Sequence, residues 1–350
     1  MKLQTRAVMI ATLFLVAACG GPAASPGTSP AGSPPTETMA PMTDAPATDA
    51  PATDAPATDA PATDAPATDA PASDSPSAAP TGSAGPICET LGAEAEGDLL
   101  ATICERGTIV MSTDPAYPPQ SEVTPDGTYQ GFDISVGQEI ADRLGVELDF
   151  FTPAWEIITA GSWGQRWDFS VGSMTITTER QEVLDFTQPY YSTPAQMAVR
   201  PDSGITDLAG LAGRVICVGQ QTTYLFWLEG TLDFGTETPQ TDPPEGATAT
   251  TLRTDRDCAE AWRAGREEFD GWLTSSTTVD DAVADGLPVV AVGEPVFHEP
   301  LAVALDKSAP DHDQLLEALD GIVGDMHADG TLSALSTEWL GSDLTVREDE

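Results

Sequence analysis

Apolar positions fall into three regimes along this 350-residue chain. Ala7 to Ala18 is a short apolar run broken only by Thr12. Residues 20–86 carry almost no large apolar side chain. From Ile87 onward, short apolar runs alternate with helical spacing, which predicts an α/β class. Thr108 to Ser112 reads as a buried strand. Phe132, Val136, Ile140 and Leu144 recur at helical spacing, and Gly145 closes that helix. Val146 to Phe151 and Asp168 to Val171 read as the next strands. Later strands are expected at Arg214–Val218, Thr248–Leu252, Phe269–Leu273 and Val289–Val292. Thr222 or Thr223 opens a helix through Leu228. Asp255 is placed to cap a helix containing Ala259, Trp262 and Ala264. A helix near Val279–Ala284 follows, and two helices, about 311–328 and 331–339, close the chain. Residues 236–247, rich in Thr and Pro, read as a surface loop.

The first regime reads as an export signal. Lys2 and Arg6 precede an apolar stretch too short to span a bilayer core of roughly 30 Å. It ends in Val16-Ala17-Ala18-Cys19-Gly20, which resembles a bacterial lipoprotein processing site. Cleavage after residue 18 leaves Cys19 first, with its thiol and amine open to acylation by palmitate-type chains. An ordinary secretory peptide with an incidental cysteine is the alternative. Several acyl chains on one residue anchor stably, whereas one binds marginally. The second regime is a linker. The unit Ala-Pro-Ala-Thr-Asp repeats from Ala45, with an aspartate every fifth residue from Asp44 to Asp74. Proline at this density favours extended, solvated backbone, and too little apolar area is present to offset ordering entropy. The expected organisation is therefore a signal peptide at 1–18 and an acylated Cys19 with its linker through 86. The folded part follows, and an acidic tail occupies 341–350.

Charge narrows the partners. The net charge of −42 repels nucleic acid and anionic lipid surfaces, so a lipid tether is favoured over a basic membrane-binding face. An extracytoplasmic setting permits disulfides. Cys88 and Cys104 flank a short helical segment and are paired here. Cys217 and Cys258 lie in the same half of the folded part; they either bond or are small buried hydrophobes. No Cys-X-X-Cys occurs, and His298, His312 and His327 lie far from one another and from every cysteine. Redox chemistry and metal binding are therefore not expected, and no cofactor is.

The middle of the chain carries a family resemblance. The segments are Ser112-Thr-Asp-Pro-Ala-Tyr-Pro-Pro119, Gly131-Phe-Asp-Ile134 and Ala141-Asp-Arg-Leu-Gly-Val146. They continue with Gly172-Ser-Met-Thr-Ile-Thr-Thr-Glu-Arg180, Leu184-Asp-Phe-Thr-Gln-Pro-Tyr-Tyr191 and His327-Ala-Asp-Gly-Thr-Leu332. In this order they resemble the extracellular solute-binding proteins of family 3, receptors for polar amino acids in ATP-driven importers. The resemblance spans about residues 105–340. It implies a two-lobed periplasmic-binding-protein-like fold of type II, joined by two hinge-crossing strands. Lobe one would comprise 87–197 and 295–340, and lobe two 198–294. It also implies a monomer at the outer face of the cell membrane, served by permease and ATPase subunits. Ligand would favour closure by touching both lobes.

An amino acid requires a cation for its α-carboxylate, acceptors for its ammonium, and an apolar wall. The resemblance places Arg180 at the cleft floor, where a guanidinium matches a carboxylate bidentately. Its alternative is a surface pair with Glu179 or Glu182. Ser173 and Thr175 would add donors, and Thr222 and Thr223 more from a helix start. Tyr117 and Trp155 occupy the family's aromatic positions, with core packing as the alternative. Asp114 would meet an ammonium or a basic side chain. Asp133 reads as structural. Trp163 and Trp167 either line the cleft or pack beneath it. One departure stands out. Aligning Asp270 with the family's Gly-Arg-X-Asp-Ala stretch puts Ser275 where an ammonium-binding carboxylate is expected. Asp280, Asp281 or Asp114 would then have to compensate, or the solute is no ordinary α-amino acid. Gln120 also replaces an aromatic after Pro119.

Two other function classes stay open. One is a ligand-sensing or adhesion lipoprotein uncoupled from import. The other is a dehydratase-type enzyme, for which Glu179 and Asp114 are the nearby acids.

Overall fold

The computed structural model describes residues 86–91, 97–235 and 239–346. The expected signal peptide, Cys19, all but the last residue of the linker, and the last four residues of the tail lie outside them.

The N-terminal lobe opens with α1 (Ile87–Thr90) and α2 (Leu99–Arg106). It continues through β1 (Thr108–Ser112), a small sheet of β2 (Ala116–Tyr117), β3 (Ser121–Val123) and β4 (Tyr129–Gln130), then α3 (Phe132–Leu144) and β5 (Glu147–Phe151). Next come α4 (Trp155–Thr159), β6 (Phe169–Thr175) and the long β7 (Leu184–Val199). The second lobe holds β8 (Val215–Gly219), α5 (Thr223–Leu228), β9 (Thr248–Leu252), α6 (Arg256–Arg263), β10 (Gly271–Ser275), α7 (Ser276–Ala284) and β11 (Val290–Ala291). The chain returns along β12 (Phe297–Asp306) to α8 (Asp313–Ala328) and α9 (Thr331–Leu340).

Helix α3 begins and ends where the apolar spacing set it, and Gly145 caps it in the left-handed conformation. Strands β6 and β10 run further than expected, to Thr175 and Ser275. Their added residues include Ser173, Thr175, Thr274 and Ser275, polar but buried, so hydropathy alone does not show them.

One nine-stranded sheet passes through both lobes in the order β5-β1-β6-β12-β7-β10-β8-β9, with β11 beside β7. Its outer thirds are parallel: β5, β1 and β6 in lobe one, β10, β8 and β9 in lobe two. Strands β7 and β12 pair antiparallel between them and cross from lobe to lobe. In open α/β sheets, ligands bind outside the carboxyl ends of parallel strands, where loop residues converge. Here both parallel groups point those ends at the groove between the lobes.

Lobe one has a large core of α2, α3, α8 and α9 side chains packed on the sheet, including Phe132, Ile140, Leu319 and Met326. Trp163 and Trp167 belong to a satellite cluster with Ile158, Met174 and Leu184, beneath the cleft. Trp163 Nε1 donates to the Ile158 carbonyl at 2.8 Å. Lobe two splits into two smaller clusters, one around Trp227 and Phe297, the other around Trp262 and Trp272. Both disulfides are present. Cys88–Cys104 ties α1 to α2, and Cys217–Cys258 joins β8 to α6 inside the second lobe's core. Residues 341–346, expected as tail, lie against lobe one: Ser192 N–H donates to Leu344 O at 2.9 Å, and Leu344 packs on its core.

Candidate functional site

A small cavity lies between the lobes. Most wall residues end or follow a parallel strand. Asp114 and Tyr117 follow β1, Trp155 follows β5, and Ser173 and Thr175 end β6, with Arg180 just beyond. From lobe two, Thr222, Thr223 and Tyr224 follow β8, and Arg253 to Asp255 follow β9. The crossing strand β12 contributes Glu299.

Arg180 is 4% exposed. Its Nη1 donates to Thr175 O at 3.0 Å and its Nη2 to Gln221 O, across the cleft, at 3.1 Å. It pairs with neither Glu179 nor Glu182. The Nε–H is buried without a hydrogen-bond partner among the described residues. Burial lowers its pKa to about 10, opposed by the charge of Glu299, so it stays cationic at neutral pH. The guanidinium carbon stands 5.4 Å from the Trp155 ring centroid. Trp155 Nε1 reaches the same Gln221 carbonyl at 3.2 Å. Gln221 takes a positive φ of 57°, a costly conformation for a non-glycine residue. That turn presents one carbonyl to two donors of the opposite lobe. With Gln120 Nε2 donating to Thr277 Oγ1 at 2.5 Å, the lobes are in contact across the groove, a closed arrangement.

Ser173, also at positive φ (51°), sits on a buried polar network. Its N–H donates to Tyr190 OH at 3.0 Å and its hydroxyl to Asp133 Oδ2 at 2.8 Å. Tyr190 OH donates to Asp133 Oδ1 at 2.7 Å. Asp133 therefore braces the floor from below, and burial raises its pKa to about 7. Thr222 caps α5 by accepting from Leu225 N, and its hydroxyl donates to Gly219 O at 2.9 Å, while Thr223 bonds Glu299. Glu299 also accepts from Thr175 at 2.7 Å and Tyr224 at 2.7 Å. It joins hydroxyls from both lobes at the hinge, and burial raises its pKa. Tyr117 OH meets Tyr224 OH at 3.3 Å, forming an aromatic bridge over the cavity.

Ser275 does not line the cavity. Strand β10 runs into α7 without a loop, so Ser275 is fully buried and caps the helix, accepting from Thr278 N at 3.3 Å. Its hydroxyl bonds Thr277 and Thr278 of the same helix. Asp281 is taken by Arg256 at 2.6 Å. Neither Asp280 nor Asp281 reaches the wall.

The carboxylates that do reach it are Asp114, Asp255 and Glu299, against two cations, Arg180 and Arg253. Asp255 was expected to cap α6, but its side chain makes no cap. It turns into the cleft and accepts from Gly219 N at 2.6 Å. Gly219 permits this approach, since a Cβ there would stand 2.7 Å from the carboxylate. Burial pushes the Asp255 pKa up to about 8. Asp255, Glu299, Arg253 and Tyr224 were missed in the sequence. The signal that would find Arg253 and Asp255 is their place directly after a parallel strand.

Residues 109–342 match the profile of the bacterial extracellular solute-binding proteins, family 3. The chain belongs to this family. It is an extracytoplasmic solute-binding protein for a small polar solute, of the kind that serves ABC importers. This solute-binding protein is 31% identical over 254 residues to the L-cystine-binding protein TcyJ of Escherichia coli strain K12, covering 72% of this chain and 89% of the relative. It is 25% identical to the probable amino-acid-binding protein YxeM of Bacillus subtilis strain 168, covering 64% and 80%. Among solved structures, it resembles an ancestral amino acid-binding protein described as a precursor of cyclohexadienyl dehydratase. That match has a TM-score of 0.59 and 27% identity, covering 69% of this chain and 99% of the other.

Proposed function

We propose that the cleft captures an amino acid, with its α-carboxylate on Arg180 and its ammonium against Asp255. The observation that carries this is the buried Arg180 guanidinium, whose Nε–H lacks a partner in a cavity wall. A buried donor left open costs free energy until a ligand oxygen fills it. Ser173 and Thr175 line the wall beside it, their hydroxyls held by Asp133 and Glu299, with Thr222 and Thr223 opposite. Asp255 supplies the acceptor that Ser275 lacks. Tyr117 and Trp155 form the apolar walls, and Asp114 lies at the mouth. The amino acid ligands named for the relatives support this class.

In this reading lobe one is 87–197 with 295–340, and lobe two is 198–294. Cleavage after residue 18 and acylation of Cys19 tether the protein at the outer membrane face, with the Pro-rich segment through 86 as a leash. The loaded, closed form docks on the permease and ATPase subunits of an importer.

A thermal-shift screen of residues 87–350 against amino acids, amines and small sugars tests the ligand class. Amino acids should raise the melting temperature and sugars should not. If no amino acid stabilises the protein, the reading fails. Cys19→Ser should release the protein from the membrane fraction; retention there would refute the lipid tether.

A further inference from the structure

Two interlobe hydrogen bonds lie outside the cavity wall. Gln120 Nε2 of lobe one donates to Thr277 Oγ1 of lobe two at 2.5 Å. Thr178 N–H of lobe one donates to Asp233 O of lobe two at 3.0 Å. None of these four residues lines the cavity. The contacts that Arg180, Trp155 and Tyr117 make across the groove come from wall residues, where a solute competes for the same groups.

Both ends of the Gln120 bond stand on rigid supports. Gln120 O accepts from Asp133 N at 2.9 Å and Pro119 O from Phe132 N at 3.2 Å, so the first turn of α3 holds this segment. Gly131 permits the approach, since a Cβ there would collide with the Gln120 carbonyl. Thr277 lies in the first turn of α7, which β10 enters without a loop. Its hydroxyl meets Ser275 Oγ at 3.0 Å, and Ser275 Oγ donates on to Thr278 Oγ1 at 2.8 Å. Gln120 is 0% exposed and Thr277 6%. With the lobes apart, water serves the Gln120 amide and the Thr277 hydroxyl. With them together, Thr277 is the amide's acceptor, and a donor buried without one is costly.

We infer that Gln120 is a positioning residue for solute binding, which acts through Thr277 to hold the lobes together by a contact that needs no solute atom. Part of the free energy of closure is then present before solute arrives. Apparent affinity follows the fraction of molecules in the binding-competent form, so this contact bears on every solute the cleft accepts. The inference rests on lobe closure and not on which solute is bound, so it stands or falls apart from the amino acid reading.

Amide hydrogen exchange on the full-length chain, without added solute, tests this at Thr178, whose N–H is bonded across the groove. Thr277→Val keeps the shape but removes the acceptor, and should speed exchange at Thr178 by about fivefold or more. Thr277→Ser restores the acceptor and should return the rate to within about twofold of wild type. Ser275→Ala breaks the Ser275–Thr277 contact but leaves Gln120 its acceptor, so it too should stay within about twofold. Amides of α8 around Leu319, in the core of lobe one, should keep their wild-type rates throughout. An unchanged Thr178 rate in Thr277→Val overturns the inference. Equal acceleration in Ser275→Ala also overturns it, because the effect then belongs to the start of α7. If Thr277→Val speeds α8 as well, Thr277→Ala repeats the test, and the same two outcomes decide it.

Discussion

The two lobes face one groove with different chemistry on different supports. Lobe one offers a guanidinium at the end of a buried strand, braced by the Asp133, Ser173 and Tyr190 network and backed by a large core. Lobe two offers a carboxylate, Asp255, and a capped helix start, backed by two smaller clusters. In the proposed reading the two charges of a zwitterion are held by different lobes, the carboxylate by Arg180 and the ammonium by Asp255. An amino acid therefore contributes most when both walls touch it, which is how ligand binding can favour closure. Gln221, at a positive φ, presents its carbonyl to donors from the opposite lobe.

The supports differ most in their cross-links. Cys217–Cys258 closes a separation of 41 residues through the second lobe's core, whereas Cys88–Cys104 closes 16 at the edge of lobe one. In the chain-entropy treatment these loops contribute about 4 and about 3 kcal/mol. Denaturant unfolding of Cys217→Ala/Cys258→Ala should show the larger loss. Equal losses, or a larger one for Cys88→Ala/Cys104→Ala, would remove this asymmetry.

Next in size is the lobe-one cation. Arg180→Ala should weaken amino acid binding by about 100-fold or more, since it removes one partner of a desolvated charge pair. Circular dichroism should show the fold retained. Unchanged affinity in calorimetry would show that lobe one does not hold the carboxylate.

The lobe-two acid gives a smaller but pH-marked effect. Asp255→Asn should cost about tenfold at neutral pH. The Asp255 carboxyl has its pKa raised to about 8, and only its ionised form attracts an ammonium. Wild-type affinity should therefore fall as pH drops below about 8, and the Asn variant should lose that slope. A slope that persists in the variant assigns the ammonium to another group.

The contrast between the lobes also governs what could be read before the fold was known. In lobe one the site residues sit in short continuous segments, Ser112–Pro119 and Gly172–Arg180, where local backbone carries the chemistry. These, with Trp155 after β5, brought Arg180, Ser173, Thr175, Tyr117 and Asp114 to one cavity. In lobe two the site depends on strand order. Asp255 looks like a helix cap because an acid precedes α6, yet the neighbouring strand β8 offers Gly219 N–H, and the side chain turns there. Ser275 is the reverse case: its alignment places it in the site, but the absence of a loop between β10 and α7 makes it a cap. Glu299 is invisible locally, because its partners come from two distant elements, β6 and α5. Helix α3 was fully legible, since its periodicity, its entry and its glycine stop agree.

The smallest effect probes that mis-assigned position. Ser275→Ala should cost about 1 kcal/mol of stability, as for other lost caps, and shift ligand affinity by less than about threefold. A loss comparable to that of Asp255→Asn would return Ser275 to the binding site.

The most direct test is a crystal structure of the protein with its amino acid bound. The ligand should lie between the lobes, with its α-carboxylate within hydrogen-bond distance of the Arg180 guanidinium and its ammonium against Asp255. A ligand bound outside this cavity, or one whose carboxylate turns away from Arg180, would contradict the central claim.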